Sequence, residues 1–255
     1  MKQVGSEIYP LLYEQLTETE DFDQLWQRFH LLLAEYGITS VLYAFSHTAK
    51  VQELAAFFQS LQITCSHPAE FMQHMEATSS WEDEFATLHV IRSEEPLVWS
   101  DDIKVLKRVL NERQLRIAVE SWDYNMGVGV TLPLRFSQGN GLNSLGGFGL
   151  ASGFLKGKEF NKIWSEHSQE IIQLSALFDI MARERHTDGL FQLTPREKEC
   201  LQWLAAGLRP QQISNRLGNA YRTTEKQIAS ARQKLNARSN EQAVAKALIY
   251  GLLEQ

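Results

Sequence analysis

Apolar residues recur at helical spacing in DFDQLWQRFHLLLAEYGI, where Phe22, Leu25, Trp26, Phe29, Leu32 and Leu33 share one face. ITSVLYAF, residues 38–45, is continuously apolar and β-prone, which predicts a strand. LAAFFQSL fits a strand or a short helix, and HPAEFMQHME reads as a helix opening at Pro68. EPLVWS is a short extended piece, and residues 103–122 read as one helix. VGVTLPLRF and LGGFGLASG form two strands joined by the turn-rich SQGNGLNS. A long helix follows, with Ile163, Ile171, Leu174, Leu177, Phe178 and Met181 along one stripe. Helices covering a sheet predict an α+β protein whose first part is an α/β/α sandwich with a mostly antiparallel sheet.

Past the polar segment 182–192 the pattern changes to short, punctuated helices. Thr194-Pro195-Arg196-Glu197 offers a cap, a first-turn proline and a capping-box glutamate. Gly207 ends that helix, Pro210 opens the next and Gly218 ends it. A third helix spans about 222–236, and a fourth starts at Ser239, with Gln242 completing a second capping box, and runs to about Leu253. A helix, a tight turn, a short helix and a further helix predict an all-α, four-helix helix-turn-helix domain. The expected division is 1–185, a linker at 186–192, and 193–255.

In the third helix Thr224, Ile228, Ala231 and Leu235 form a packing stripe, leaving Arg222, Thr223, Lys226, Ser230 and Gln233 pointing away on an acid-free face. Cations for phosphates and hydrogen-bonding groups for base edges are what a helix in the major groove requires.

Charge sharpens this contrast. The chain of 255 residues carries a formal −6, which by itself argues against nucleic acid. Residues 191–255 hold ten Lys/Arg against five acids, +5, while the other 190 hold 15 basic and 26 acidic residues, −11. The expected partner is double-stranded DNA. No apolar run approaches the ~18 residues of a membrane span, and the start lacks the basic and apolar blocks of a secretory signal. Cys65 and Cys200 give neither a disulfide framework nor paired zinc spacing. A cytoplasmic location is expected.

Enzyme chemistry finds no support. Ser144 in GLNSLGG is not a nucleophile elbow. GNGLNSLGGFG leads into a strand, where a phosphate cradle needs a helix N-terminus. His67, His74 and His89 form no metal pair and read as surface or satisfied polar groups, and Asp101-Asp102 reads as a helix cap. No cofactor, metal or catalytic residue is expected.

Residues 193–248 resemble the LuxR-type helix-turn-helix domain, through LTPRE-x-E-x-L, Ala206-Gly207, Ile213, Leu217-Gly218, Thr223, Lys234-Leu235 and AxSxxQAVAxA at 237–247. The resemblance implies a recognition helix at 222–235, with Arg222, Thr223, Glu225, Lys226, Gln227, Ser230 and Gln233 as DNA-binding candidates. It also implies a homodimer contact at 241–253. Relatives usually place basic residues where this chain has Glu225 and Ala229; a glutamate accepts from cytosine N4, so either an unusual target sequence or weak, lax binding is expected.

Upstream, HPAEFMQHMEATSSWEDEF, PLVW at 96–99 and GVTLPL at 129–134 resemble the autoinducer-binding domain of quorum-sensing LuxR regulators, which implies a site for acyl-homoserine lactones. Trp99 and Gly129 match that pattern. Phe71 and Met75 stand where the family has a donor Trp and Tyr, and Glu84-Phe85 where it has Asp-Pro. Each buried hydrogen bond lost costs about 1–3 kcal/mol where the partner is left unsatisfied. Ordinary acyl-homoserine lactones are therefore not the expected signal. Tyr43, Phe71, Met75, Trp81, Glu84, Phe85, Trp99 and Phe148 outline either a pocket for a small apolar or aromatic signal molecule or a filled core. In the second case the domain serves dimerisation or protein contacts alone.

Overall fold

The computed structural model describes residues 14–46, 61–137, 143–184 and 190–253. Among these, strands β1 (Ser40–Ser46), β2 (Gln62–Cys65), β3 (Leu97–Trp99), β4 (Gly129–Ser137) and β5 (Asn143–Ala151) form one sheet in the order β2-β1-β5-β4-β3. Every neighbouring pair is antiparallel. The predicted sandwich is present. Helix α1 (Phe22–Ala34) and the long α6 (Gly157–Glu184) cover one face: Phe29 and Phe178 stack at 4.3 Å, and both rings meet Phe148. On the other side lie α2 (Ala69–Ala77), α3 (Phe85–Arg92), α4 (Ile103–Val109) and α5 (Glu112–Glu120). Their buried Phe71, Met75, Ala86 and Ile117 form one cluster with Trp99, Met126 and Ala151.

The single helix expected over 103–122 is two. Val109 ends α4, and Asn111 caps α5 with a full capping box: its side chain accepts from Gln114 N–H at 2.9 Å, and Gln114 accepts from Asn111 N–H at 3.3 Å. Asparagine stabilises a new helix start better than a helix interior, so apolar periodicity alone misses the break. Of the acid pair, Asp102 caps α4 through Lys104 N–H, while Asp101 accepts from Gly157 N–H.

The chain separates into two compact units, with the division at 178/179 and residues 19–24 grouped with the second. In the second, α7 (Pro195–Ala205), α8 (Pro210–Leu217), α9 (Tyr221–Lys234) and α10 (Asn240–Ile249) follow the predicted punctuation. Thr194 and Glu197 form the predicted capping box. Gly207 and Gly218 hold φ of 86° and 65°, left-handed values that cost glycine no Cβ clash. α10 is shorter than expected, and its second capping box is incomplete. Ser239 accepts from Gln242 N–H, but the Gln242 side chain accepts from Arg238 N–H rather than from that of Ser239. Cys200, Ile213 and Ile228 knit α7, α8 and α9 around Trp203, Leu204, Leu208 and Leu217. The expected linker falls largely outside the described residues, as do most of LAAFFQSL and the centre of SQGNGLNS.

Candidate functional site

In the first unit, the sheet face under α2–α5 is hollow. A cavity of about 110 Å³ lies beside Trp99. Its wall includes the predicted Phe71, Trp81, Glu84, Phe85 and Trp99. Small residues on the sheet make the room. Gly147 and Gly149 of β5 face it with Leu42 and Ala44 of β1, and a Cβ on Gly149 would sit 3.5 Å from the Trp99 ring. Gly129 is required for a different reason: a Cβ there would come within 2.1 Å of the Leu150 carbonyl oxygen and 2.9 Å of Trp99.

Tyr43 and Met75 do not line the cavity, and the Phe148 ring turns away from it. Tyr43 is fully buried on the opposite face, stacked on Phe148 at 4.9 Å and edge-on to Phe178. Phe148 is its cross-strand partner and, although it borders the cavity, its ring stacks on Tyr43 on that opposite face. Met75 is buried in the apolar cluster behind the cavity wall. Strand alternation decides the placement of the two strand residues: once Leu42, Ala44, Gly147 and Gly149 face the cavity, the Tyr43 and Phe148 rings cannot.

The polar groups around the cavity are largely occupied. Trp99 Nε1 donates to the buried Thr131 Oγ1 at 2.7 Å. Glu84 caps α3: Oε1 accepts from Ala86 N–H at 3.0 Å, and Oε2 accepts from Thr87 N–H at 2.6 Å and from the Thr87 hydroxyl at 2.8 Å. Burial nonetheless outweighs these three donors and pushes the Glu84 carboxyl above its ordinary range. Its acceptor capacity, expected to serve a ligand, is directed mainly at its own helix. His67, read from sequence as a surface or satisfied group, lines the cavity with Nδ1 2.6 Å from Ser40 Oγ. Burial, helped by the charge of His30, pulls its imidazole down to about 4, so it is neutral at pH 7. His74 pairs with Glu120, and His89 contacts the Glu95 carbonyl. Thr131 and Trp122 also line the cavity and were missed from sequence. The alternation of Gly129, Thr131 and Pro133 along β4 could have found the first; no local signal marks the second.

In the second unit, α9 carries the predicted stripe inward: Thr224, Ile228, Ala231 and Leu235 are buried. Arg222, Thr223, Lys226 and Gln233 are exposed and Gln227 is half-buried; among the described residues none of these side chains has a hydrogen-bond or ionic partner. Two expectations for this helix change. Its surface is not acid-free, because Glu225 is exposed beside Arg222 and Lys226 and accepts from the Tyr221 hydroxyl at 2.7 Å. Ser230 does not point away, because its hydroxyl donates to Glu197 Oε1 at 2.6 Å.

Glu197 is the hub that seats α9 on α7. It is 2 % exposed and also takes Lys234 Nζ at 2.8 Å and Thr194 N–H at 2.7 Å. Burial pushes its carboxyl upward, but the Lys234 ammonium, the Ser230 hydroxyl and the Thr194 N–H prevail and hold it below the ordinary range. Lys234 is thereby removed from any outward role. Lys246 donates to the Leu235 and Asn236 carbonyls at the end of α9, a cation at a helix C-terminus.

Residues 21–178 match the family described as the autoinducer binding domain, and residues 192–247 match the luxR family of bacterial regulatory proteins. The chain belongs to the LuxR family. It is a LuxR-type transcription regulator, with an autoinducer-binding domain and a DNA-binding helix-turn-helix domain. Among relatives of this regulator, the transcriptional activator VanR of Vibrio anguillarum is 23 % identical over 242 residues, 94 % of each chain. The quorum sensing-dependent transcriptional regulator RpaR of Rhodopseudomonas palustris is 28 % identical over 159 residues, covering 62 % of this chain and 61 % of that one. Escherichia coli SdiA shares the fold, with a TM-score of 0.56 at 17 % identity over 98 % of this chain and 100 % of that one. Among the described residues no helix is long and apolar enough to cross a membrane, and no group of three His, Cys, Asp or Glu is placed to hold a metal ion.

Proposed function

We propose that this regulator senses a compact, mostly apolar molecule in the cavity beside Trp99 and grips DNA with α9. The cavity carries the first half of the reading. It is walled by Phe71, Trp81, Phe85 and Trp99, and its volume lies below the roughly 300–1,000 Å³ of drug-sized ligand pockets. With the Trp99 N–H given to Thr131 and Glu84 engaged in its helix cap, a ligand relying on many polar contacts is disfavoured. An aromatic or short-chain molecule suits the site better than an ordinary acyl-homoserine lactone. Arg222 and Lys226 serve as phosphate contacts, with Thr223, Glu225, Gln227 and Gln233 near the bases. Ser230 acts by positioning the helix. The working division is a sensor domain over 1–185, a linker at 186–192 and a helix-turn-helix domain over 193–255; the matched segments 21–178 and 192–247 support it. The protein acts in the cytoplasm as a homodimer on double-stranded DNA, without catalysis. An open space where a filled core would have none favours sensing over a purely dimerising first domain.

The test measures duplex affinity against salt, with and without a panel of small aromatic and short-chain probes, alongside thermal melts. A binding probe raises the melting temperature and shifts DNA affinity. Lys226→Ala weakens binding to all sequences alike and lowers the salt slope by about one. An unchanged slope removes Lys226 from the phosphate contacts, and no DNA binding at low salt in any ligand state refutes the reading.

A further inference from the structure

Within α9, one acid stands among cations on a surface meant for a polyanion. A carboxylate there gains nothing from phosphates, which repel it. Glu225 is also held in place: it is exposed, and the Tyr221 hydroxyl one turn earlier donates to its Oε1 at 2.7 Å. The phenol is itself exposed, so this bond is not a by-product of core packing. It limits the rotamers of Glu225 and leaves Oε2 free to accept. Arg222 and Lys226 on either side have no partner among the described residues.

We infer that Glu225, oriented by Tyr221, is a specificity-determining residue that selects a cytosine in each half-site by accepting a hydrogen bond from its N4 amino group. This rests on the assignment of α9 to the major groove made above. In that groove only the exocyclic amino groups of cytosine and adenine offer protons to an acceptor. On adenine the N6 amino group lies beside N7, whose lone pair repels a carboxylate. On cytosine, N4 lies beside a C–H edge. A glutamate therefore favours cytosine, while Arg222 and Lys226 hold the flanking backbone.

The experiment selects sites from randomised duplexes with the full-length protein, then measures affinity for the selected site and its single-pair variants. Wild type enriches one cytosine per half-site, and replacing it weakens binding about 5- to 150-fold. Glu225→Ala, an exposed change that spares the core, brings that discrimination to within about twofold. Glu225→Gln moves the preference toward adenine, whose N6 and N7 match an amide. Tyr221→Phe lowers discrimination several-fold with non-specific binding unchanged. Sequence-specific binding with no cytosine dependence, or full discrimination kept by Glu225→Ala, overturns the inference and leaves the regulator reading standing. A failure to bind any DNA overturns both.

Discussion

Replacing Glu197 should loosen the seat of α9 on α7 by an amount the structure allows to be worked out. The carboxylate is 2 % exposed and accepts from Lys234, Ser230 and the Thr194 N–H. Hydrogen bonds to a charged group contribute about 1.5–3 kcal/mol each, and they are not additive. Breaking a fully buried ion pair costs about 3–5 kcal/mol. The Lys234 side chain is 31 % exposed and keeps its bond to the Gln192 carbonyl, so it turns partly to water and its share is smaller. Glu197→Ala is therefore expected to cost about 3 kcal/mol and Glu197→Gln, which keeps the neutral bonds, about half that. Amide hydrogen exchange of the α7 and α9 segments in the intact protein reads this locally, as exchange roughly 100-fold faster for Ala and about tenfold for Gln. The pH dependence gives a second check. The folded carboxyl lies below the ordinary glutamate value of 4.5, so its stabilisation is present above that value and is lost as pH falls through the folded one. Glu197→Gln should abolish that slope. Unchanged protection at neutral pH, or an identical acid slope in the Gln variant, would refute the account.

Thr131→Val leaves the Trp99 indole N–H without its buried acceptor and should lower stability of the first unit by about 1–3 kcal/mol. Denaturant unfolding followed by tryptophan emission measures this, and wild-type stability would count against the bond. His67 has its ordinary 6.5 lowered to about 4, so the folded state resists protonation. Its contribution is complete above pH 6.5 and declines toward pH 4, by up to about 1.4 kcal/mol per pH unit. Thermal melts of wild type and His67→Gln between pH 7.5 and pH 4.5 test it, and parallel slopes would rule the imidazole out.

The helix-turn-helix unit was legible because its signals are local. Thr194, Pro195 and Glu197 mark the start of α7, and Gly207 and Gly218 mark two helix ends, each within a few residues of the boundary it sets. Asn111 and Gln114 carried the same kind of signal for α5, hidden under an apolar stripe that ran across the break. The cavity was legible in composition but not in facing. Tyr43 and Phe148 look like pocket residues until the register pairs them on the far side of the sheet from Leu42 and Gly149. The partners of Ser230 and Glu225 were not readable to the same degree. Tyr221 sits four residues from Glu225 and was within reach of helical spacing. Glu197 comes to Ser230 from a different helix, and no periodicity of α9 announces it.

That exchange between helices changes what the positive charge of residues 191–255 means. Lys234 is neutralised by Glu197, Arg196 by Glu199 at 2.6 Å, Lys246 is turned onto main-chain carbonyls, and Arg216 lies over the Trp203 ring at 4.0 Å. Lys234 and Lys246 are thereby tied into the fold, and Arg196 and Arg216 have local partners to give up before they can displace counterions from a duplex. Ten counted cations would imply a logarithmic salt slope of roughly −9 at −0.9 per phosphate, and the slope expected of a protomer built this way is shallower. On the proposed homodimer, a single copy is expected to adhere weakly to arbitrary DNA, with tight occupancy drawn from base reading and from the second copy.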